Sequence, residues 1–104
     1  FPRVIFFCTL ITRKCLNEVG ILDEIFSPGN FEDDDYCRRA EMKGYDTRIA
    51  LDCFVYHFGS VSFKTDENYR KLLETNEAKF IQKHGGTPND LWGAKFQELK
   101  RKMK

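Results

Sequence analysis

The stretch Phe31-Glu32-Asp33-Asp34-Asp35-Tyr36-Cys37-Arg38-Arg39 sets four carboxylates in succession ahead of a basic pair. Adjacent carboxylates repel one another, so the run is either a well-solvated helix start or a chemical site. Acids in the first turn of a helix complement its macrodipole, each by about 0.3–1 kcal/mol. Asp35 and Arg39 have the i,i+4 spacing of an intrahelical ion pair. One or two acids suffice for that purpose. Four, behind the aromatic Phe31 and a Ser27-Pro28-Gly29-Asn30 turn, leave a carboxylate over for chemistry. An Asp at a helix start stays ionised and can take a proton from a substrate hydroxyl as a general base, while its neighbours bond to loop backbone or to arginine. A calcium loop fits poorly, because the EF-hand order D-x-D-x-D-G with Glu at position twelve lacks its glycine here. From the stretch alone, capping and catalysis stand side by side.

The elements around the run have to position it. Gly44 closes it, so residues 33–43 read as a helix with acids in its first turn and Lys43 in its last. Upstream, residues 4–12 (VIFFCTLIT) are continuous, apolar and β-branched, which predicts a buried strand. Residues 13–19 followed by Gly20 suit a short helix or turn with a glycine C-cap, and residues 21–30 a loop. Downstream, Tyr45, Thr47, Ile49 and Leu51 alternate onto one face, which predicts a strand over 45–51. Residues 53–63 read as another strand or extended segment broken at Gly59 and Ser60. Thr65 or Asp66 then caps a long helix through His84, with Tyr69, Leu72, Leu73, Phe80 and Ile81 at helical spacing and Gly85 as its stop. Thr87 as N-cap and Pro88 at the first position start a last helix, which carries Leu91, Trp92, Phe96, Leu99 and Met103 to a basic end.

Bulk properties narrow the classes. At 104 residues, with 41% hydrophobic and 32% charged side chains, the chain reads as one small globular domain or a piece of a larger one. Ten phenylalanines predict a core built largely of aromatic rings, and a net charge of +1 gives no reason to expect a nucleic-acid partner. Cys8, Cys15, Cys37 and Cys53 never form CxxC, which argues against zinc or a redox motif. Spacing alone leaves disulfides open, but a chain rich in Phe, Leu and Ile does not need them, which favours reduced, cytoplasmic thiols. No apolar run approaches the ~20 residues of a membrane span, and there is no signal peptide. An opening at Phe1, without an initiator Met and close to an apolar run, looks like a segment cut from something longer.

Context separates the two readings of the acid run. Leu22-Asp23-Glu24 and Phe26, then Phe31-Glu32-Asp33, Asp35, Arg39-Ala40, Gly44-Tyr45 and Val55-Tyr56-His57 resemble, in order and spacing, the second half of the GT-A catalytic domain of family 2 glycosyltransferases. Asn76, Phe80 and Lys83-His84-Gly85 look like the end of a helix in the same family. The resemblance spans about residues 4–86, read as the C-terminal half of such a domain, with 87–104 as a helical extension. It implies an α/β (α+β) fold: a small mixed sheet, the acid-started helix packed on it, and two C-terminal helices.

The same resemblance implies roles. Asp33 matches the aspartate that acts as catalytic base, taking the proton of an acceptor hydroxyl as its oxygen attacks the anomeric carbon of a nucleotide sugar with inversion. Glu32 matches the acid beside it, which contacts the acceptor or braces the loop. Asp35 and Arg39 match supporting positions, and Asp34 falls where the family varies, which implies a solvent-facing side chain. His57 matches the histidine that completes a divalent metal site, Mn²⁺ or Mg²⁺, on the donor diphosphate. The acceptor is a glycan or a lipid-linked sugar. The basic end, Lys100, Arg101, Lys102 and Lys104, either complements the helix dipole or touches anionic headgroups at the inner face of a membrane. Residues 58–65 form either a lid or a plain connection.

One element of that family is missing. No D-x-D for the donor metal lies upstream of residue 31. The isolated chain is therefore expected to be inactive and to bind nucleotide sugar poorly. Two functions remain in play: the acceptor-side part of an inverting glycosyltransferase, or a non-catalytic binding or oligomerisation module derived from one. A part with sheet edges and apolar surface uncovered is expected to hide them, for example as a homodimer.

Overall fold

Helices form where caps and periodicity agree. The computed structural model describes residues 1–56 and 67–103. Helix α1 (Arg13–Val19) opens at Thr12, whose hydroxyl accepts from the Cys15 amide at 3.2 Å. It stops at Gly20, where φ is +96° and the amide donates to the Leu16 carbonyl. A single 3-10 turn, Glu24–Phe26, lies inside the expected loop and is capped by the Asp23 carboxylate on the Ile25 amide at 3.1 Å. Helix α2 (Glu32–Met42) carries the acid run in its first turn. Helix α3 (Glu67–His84) ends at Gly85, as its glycine predicts, while its expected caps, Thr65 and Asp66, lie outside the described residues. Helix α4 (Pro88–Lys102) starts on a full capping box. The Asp90 amide donates to Thr87 Oγ1 at 3.1 Å, and the Thr87 amide donates back to Asp90 Oδ2 at 2.9 Å.

The expected mixed sheet is not present among the described residues. Helix makes up 58% of the described residues and strand none, so the fold they form is all-helical rather than α/β. Residues 1–12 and 45–56 stay outside helix, yet they form no ladder; the Phe1 amino group donating to the Thr47 carbonyl at 2.8 Å joins them. The alternation that predicted strands is real at one end, where Val4 and Phe6 are half-buried and Ile5 is exposed. Side-chain alternation records that one face packs. It does not supply the neighbouring backbone that pairing requires. The third predicted strand, 53–63, lies mostly outside the described residues.

The core is aromatic, as the composition predicts. Phe26, Phe80 and Trp92 are fully buried and pack with Cys37, and Val4, Phe6, Phe31, Leu91 and Phe96 close around them. Each such ring gains about 1.5–3 kcal/mol on leaving water. A second cluster, Cys15, Tyr36 and Ala40, joins α1 to α2, and Phe6 touches both clusters. All four cysteines are free thiols, with Cys15 and Cys37 buried.

Candidate functional site

The acid run enters its helix through strained backbone. Asn30 (φ +76°) and Phe31 (φ +70°) are both left-handed, and Phe31, as N-cap, offers no side-chain acceptor. Left-handed non-glycine residues are costly and persist where their surroundings hold them. The first helical turn then distributes the carboxylates into four different environments.

Glu32 is partly buried, and burial pushes its carboxyl above the usual range. The charges of Asp33 and Asp34 push the same way, while the backbone N–H groups of Glu32 and Asn30 oppose them. Its Oε2 is buried without a hydrogen-bond partner. Asp33 is part-exposed and held by main chain on both oxygens, Oδ1 by the Asp34 amide at 2.8 Å and Oδ2 by the Phe6 amide at 3.2 Å. The apolar segment expected as a strand thus serves to fix the candidate base.

Asp34 corrects the sequence reading. Expected to face solvent, it is 6% exposed and paired with Arg3 Nη1 at 2.7 Å. Burial pushes its carboxyl up and Arg3 opposes the shift.

Asp35 is fully buried and is the centre of a polar cluster. The expected partner is present: Arg39 Nε donates to Oδ2 at 3.0 Å, and the rest of that guanidinium reaches the carbonyls of Val19 at 3.2 Å and Ile21 at 2.8 Å. Two further partners come from α3. Lys83 Nζ lies 2.8 Å and His84 Nε2 2.6 Å from Oδ1. Because an ionised carboxylate only accepts, Nε2 of His84 carries the proton. Lys83 also binds Asp23 Oδ2 at 2.7 Å, and that hydrogen bond holds the Asp23 carboxyl below its usual range.

One stripe of α3 accounts for most of this bracing. Asn76, Lys79, Phe80, Lys83 and His84 recur at helical spacing and all face residues 23–35 or the core around them. Asn76 Nδ2 donates to the carbonyls of Phe26 at 3.0 Å, Gly29 at 2.6 Å and Asn30 at 3.1 Å. Lys79 Nζ reaches the Ile25 carbonyl at 2.7 Å. The Phe80 ring packs against His84, Phe31 and Trp92, at centroid distances of 4.6, 5.9 and 6.4 Å. Asn76, Lys83 and His84 carried no role in the sequence reading. The available signal was polar residues on the buried face of a helix, at positions where a packed helix normally shows apolar ones.

Metal binding gains nothing from the described residues. Three of the four carboxylates in the run already have partners: Asp35 is paired with Arg39, Lys83 and His84, Asp34 with Arg3, and each oxygen of Asp33 accepts one main-chain N–H; Glu32 Oε2 has none. His84 is committed to Asp35. Among the described residues no group of three or more ligating side chains forms a metal cradle. His57, the candidate ligand, and residues 58–65, the candidate lid, lie outside the described residues. At the basic end of α4, Arg101 and Lys102 lie 3.5 and 3.8 Å from Glu98, and Lys104 lies outside the described residues. No helix among the described residues is long and apolar enough to cross a membrane.

Comparison with known proteins adds no relative: no protein-family model matches the chain, and neither the curated proteins nor the solved structures yield a match.

Proposed function

We propose that the chain carries the acceptor-side, base-bearing part of an inverting glycosyltransferase site, with Asp33 as general base and Glu32 beside it. One observation carries the reading. Motif pieces far apart in sequence, Asp23 to Phe26, Glu32 to Arg39 and Asn76 to His84, meet around the first turn of α2. A capping role alone would need none of the distant pieces.

The chemistry follows from how Asp33 is held. A general base has to be fixed in place yet within reach of the proton it takes. Asp33 is part-exposed, and each of its oxygens accepts one main-chain N–H, which leaves a second lone pair on each. In the proposed step, an acceptor hydroxyl gives its proton to Asp33 as its oxygen bonds to the anomeric carbon from the face opposite the leaving group. The bond from that carbon to the diphosphate breaks, and the nucleoside diphosphate leaves with the electron pair. Glu32, part-buried beside it, contacts the acceptor or braces the loop.

A second reading, a binding or oligomerisation module without chemistry, draws on the exposed apolar side chains Ile5, Leu10, Leu51 and Phe54. A transfer assay separates the two. The natural polypeptide carrying these residues is incubated with a panel of nucleotide diphosphate sugars and glycan or lipid-linked acceptors, and the product's anomeric configuration is read by NMR. An inverted glycoside supports the transferase. A retained configuration, or no transfer from any donor, refutes it.

A further inference from the structure

We infer that Asn76 is a positioning residue for the Glu32–Asp33 acid pair, acting through the loop from which α2 starts. The inference rests on the reading of that pair as the reactive carboxylates. Asn76 lies in the middle of α3, has no exposed surface, and sends its side-chain amide across 46 to 50 residues of sequence to three loop carbonyls, those of Phe26, Gly29 and Asn30. Carbonyl oxygens only accept, so the nitrogen has to face them; the orientation of the amide follows from its surroundings. An amide with two hydrogens spread over three acceptors is an unusual use of a buried polar group, and the other end, Oδ1, is buried without a partner. For packing alone, an apolar residue in that place would cost less.

What the amide holds is the part of the loop that sets the acids. Asn30 is held through its carbonyl, which accepts from Asn76 Nδ2 at 3.1 Å. Asn30 and Phe31 are the two left-handed residues, and such conformations survive when neighbours over-determine them. Release of the Asn30 carbonyl therefore frees the strained pair to relax, and the first turn of α2 moves with it. Misplacement of a base by about 1 Å costs on the order of 100-fold in rate, so a clamp on this loop controls the reaction without touching the substrate. Lys79, on the same stripe, bonds the Ile25 carbonyl, at the exposed rim, and is the internal control.

The test uses NMR on the full chain and needs no transfer assay. In the unmodified chain, the Asn76 side-chain amide protons should exchange with water about 100-fold or more slowly than those of exposed Asn17, as buried hydrogen-bonded amides do. Exchange as fast as that of Asn17 overturns the clamp, whether or not any variant folds. In Asn76→Ala, the titration midpoint of Glu32, followed by its carboxyl carbon, should fall toward the ordinary value of 4.5 as the loop loosens and the carboxylate gains water. Lys79→Met should leave it in place. A folded Asn76→Ala with an unmoved Glu32 midpoint, or Lys79→Met moving it equally, overturns the inference. If the midpoint moves but the natural polypeptide transfers no sugar, the clamp stands and the transferase reading falls. If sugar is transferred while the midpoint stays fixed, the reverse holds.

Discussion

At Asp35, a carboxylate with no exposed surface is tolerated because Arg39, Lys83 and His84 all face it. Removing one member of a buried ionic cluster leaves the others uncompensated, which typically costs about 3–5 kcal/mol. Asp35→Ala should therefore lose about that much stability in urea denaturation, and Asp35→Ala combined with His84→Ala should lose clearly less than the sum of the two. Additive losses would mean that the two residues do not interact. Glu32 gives the opposite sign. Its carboxyl is raised, so the stability it contributes is complete below the ordinary value of 4.5 and is lost as pH rises through the higher folded value. Glu32→Gln removes that dependence. The variant should match the parent in acid and gain on it as pH climbs toward 7, in thermal melts across that range. Of these residues, the Asp35–Arg39 pair was legible in the sequence because both partners lie on one helix at i,i+4. Asn76, Lys83 and His84 stood out only as a helix-end pattern; their partners were not legible, because these lie far away along the chain and only the packing of α3 brings them there.

Elements with local punctuation were legible; elements that depend on a neighbour were not. Thr12 and Gly20 mark the ends of α1, Gly85 the end of α3, and Thr87, Pro88 and Asp90 the start of α4, and all act within a few residues. The capping box on α4 carries a direct consequence: Thr87→Ala should cost about 1 kcal/mol, read as a lower urea midpoint. The segments 4–12 and 45–51 had the composition and alternation of strands, but a strand exists only when another backbone takes its N–H and C=O groups. Val4 and Phe6 bury their side chains against the helical core instead, and Phe6 spends its amide on Asp33. Helix α2 shows the reverse case. Its span was predicted to within a residue, yet its N-cap is a left-handed Phe31 rather than an acid, a feature that composition does not encode.

Across the whole molecule, apolar residues divide unevenly between a tight aromatic core and an uncovered surface. Leu51 and Phe54 are 94% and 89% exposed, and Ile5 and Leu10 are also in water. Substitutions there touch nothing that holds the fold, so Leu51→Lys with Phe54→Lys should change stability by no more than about 0.5 kcal/mol each. If this surface is where copies of the chain meet, the same pair should abolish concentration-dependent sedimentation; unchanged self-association would place the contact elsewhere. In the proposed transfer, a single carboxylate in the first turn of α2, Asp33, takes the acceptor's proton. The most direct measurement is the rate of sugar transfer by the natural polypeptide and its Asp33→Asn variant, with donor affinity measured alongside. Loss of a general base should lower kcat by about 10²–10⁴-fold and leave nucleotide-sugar binding unchanged. An Asp33→Asn protein that transfers sugar at the parent rate would contradict the account.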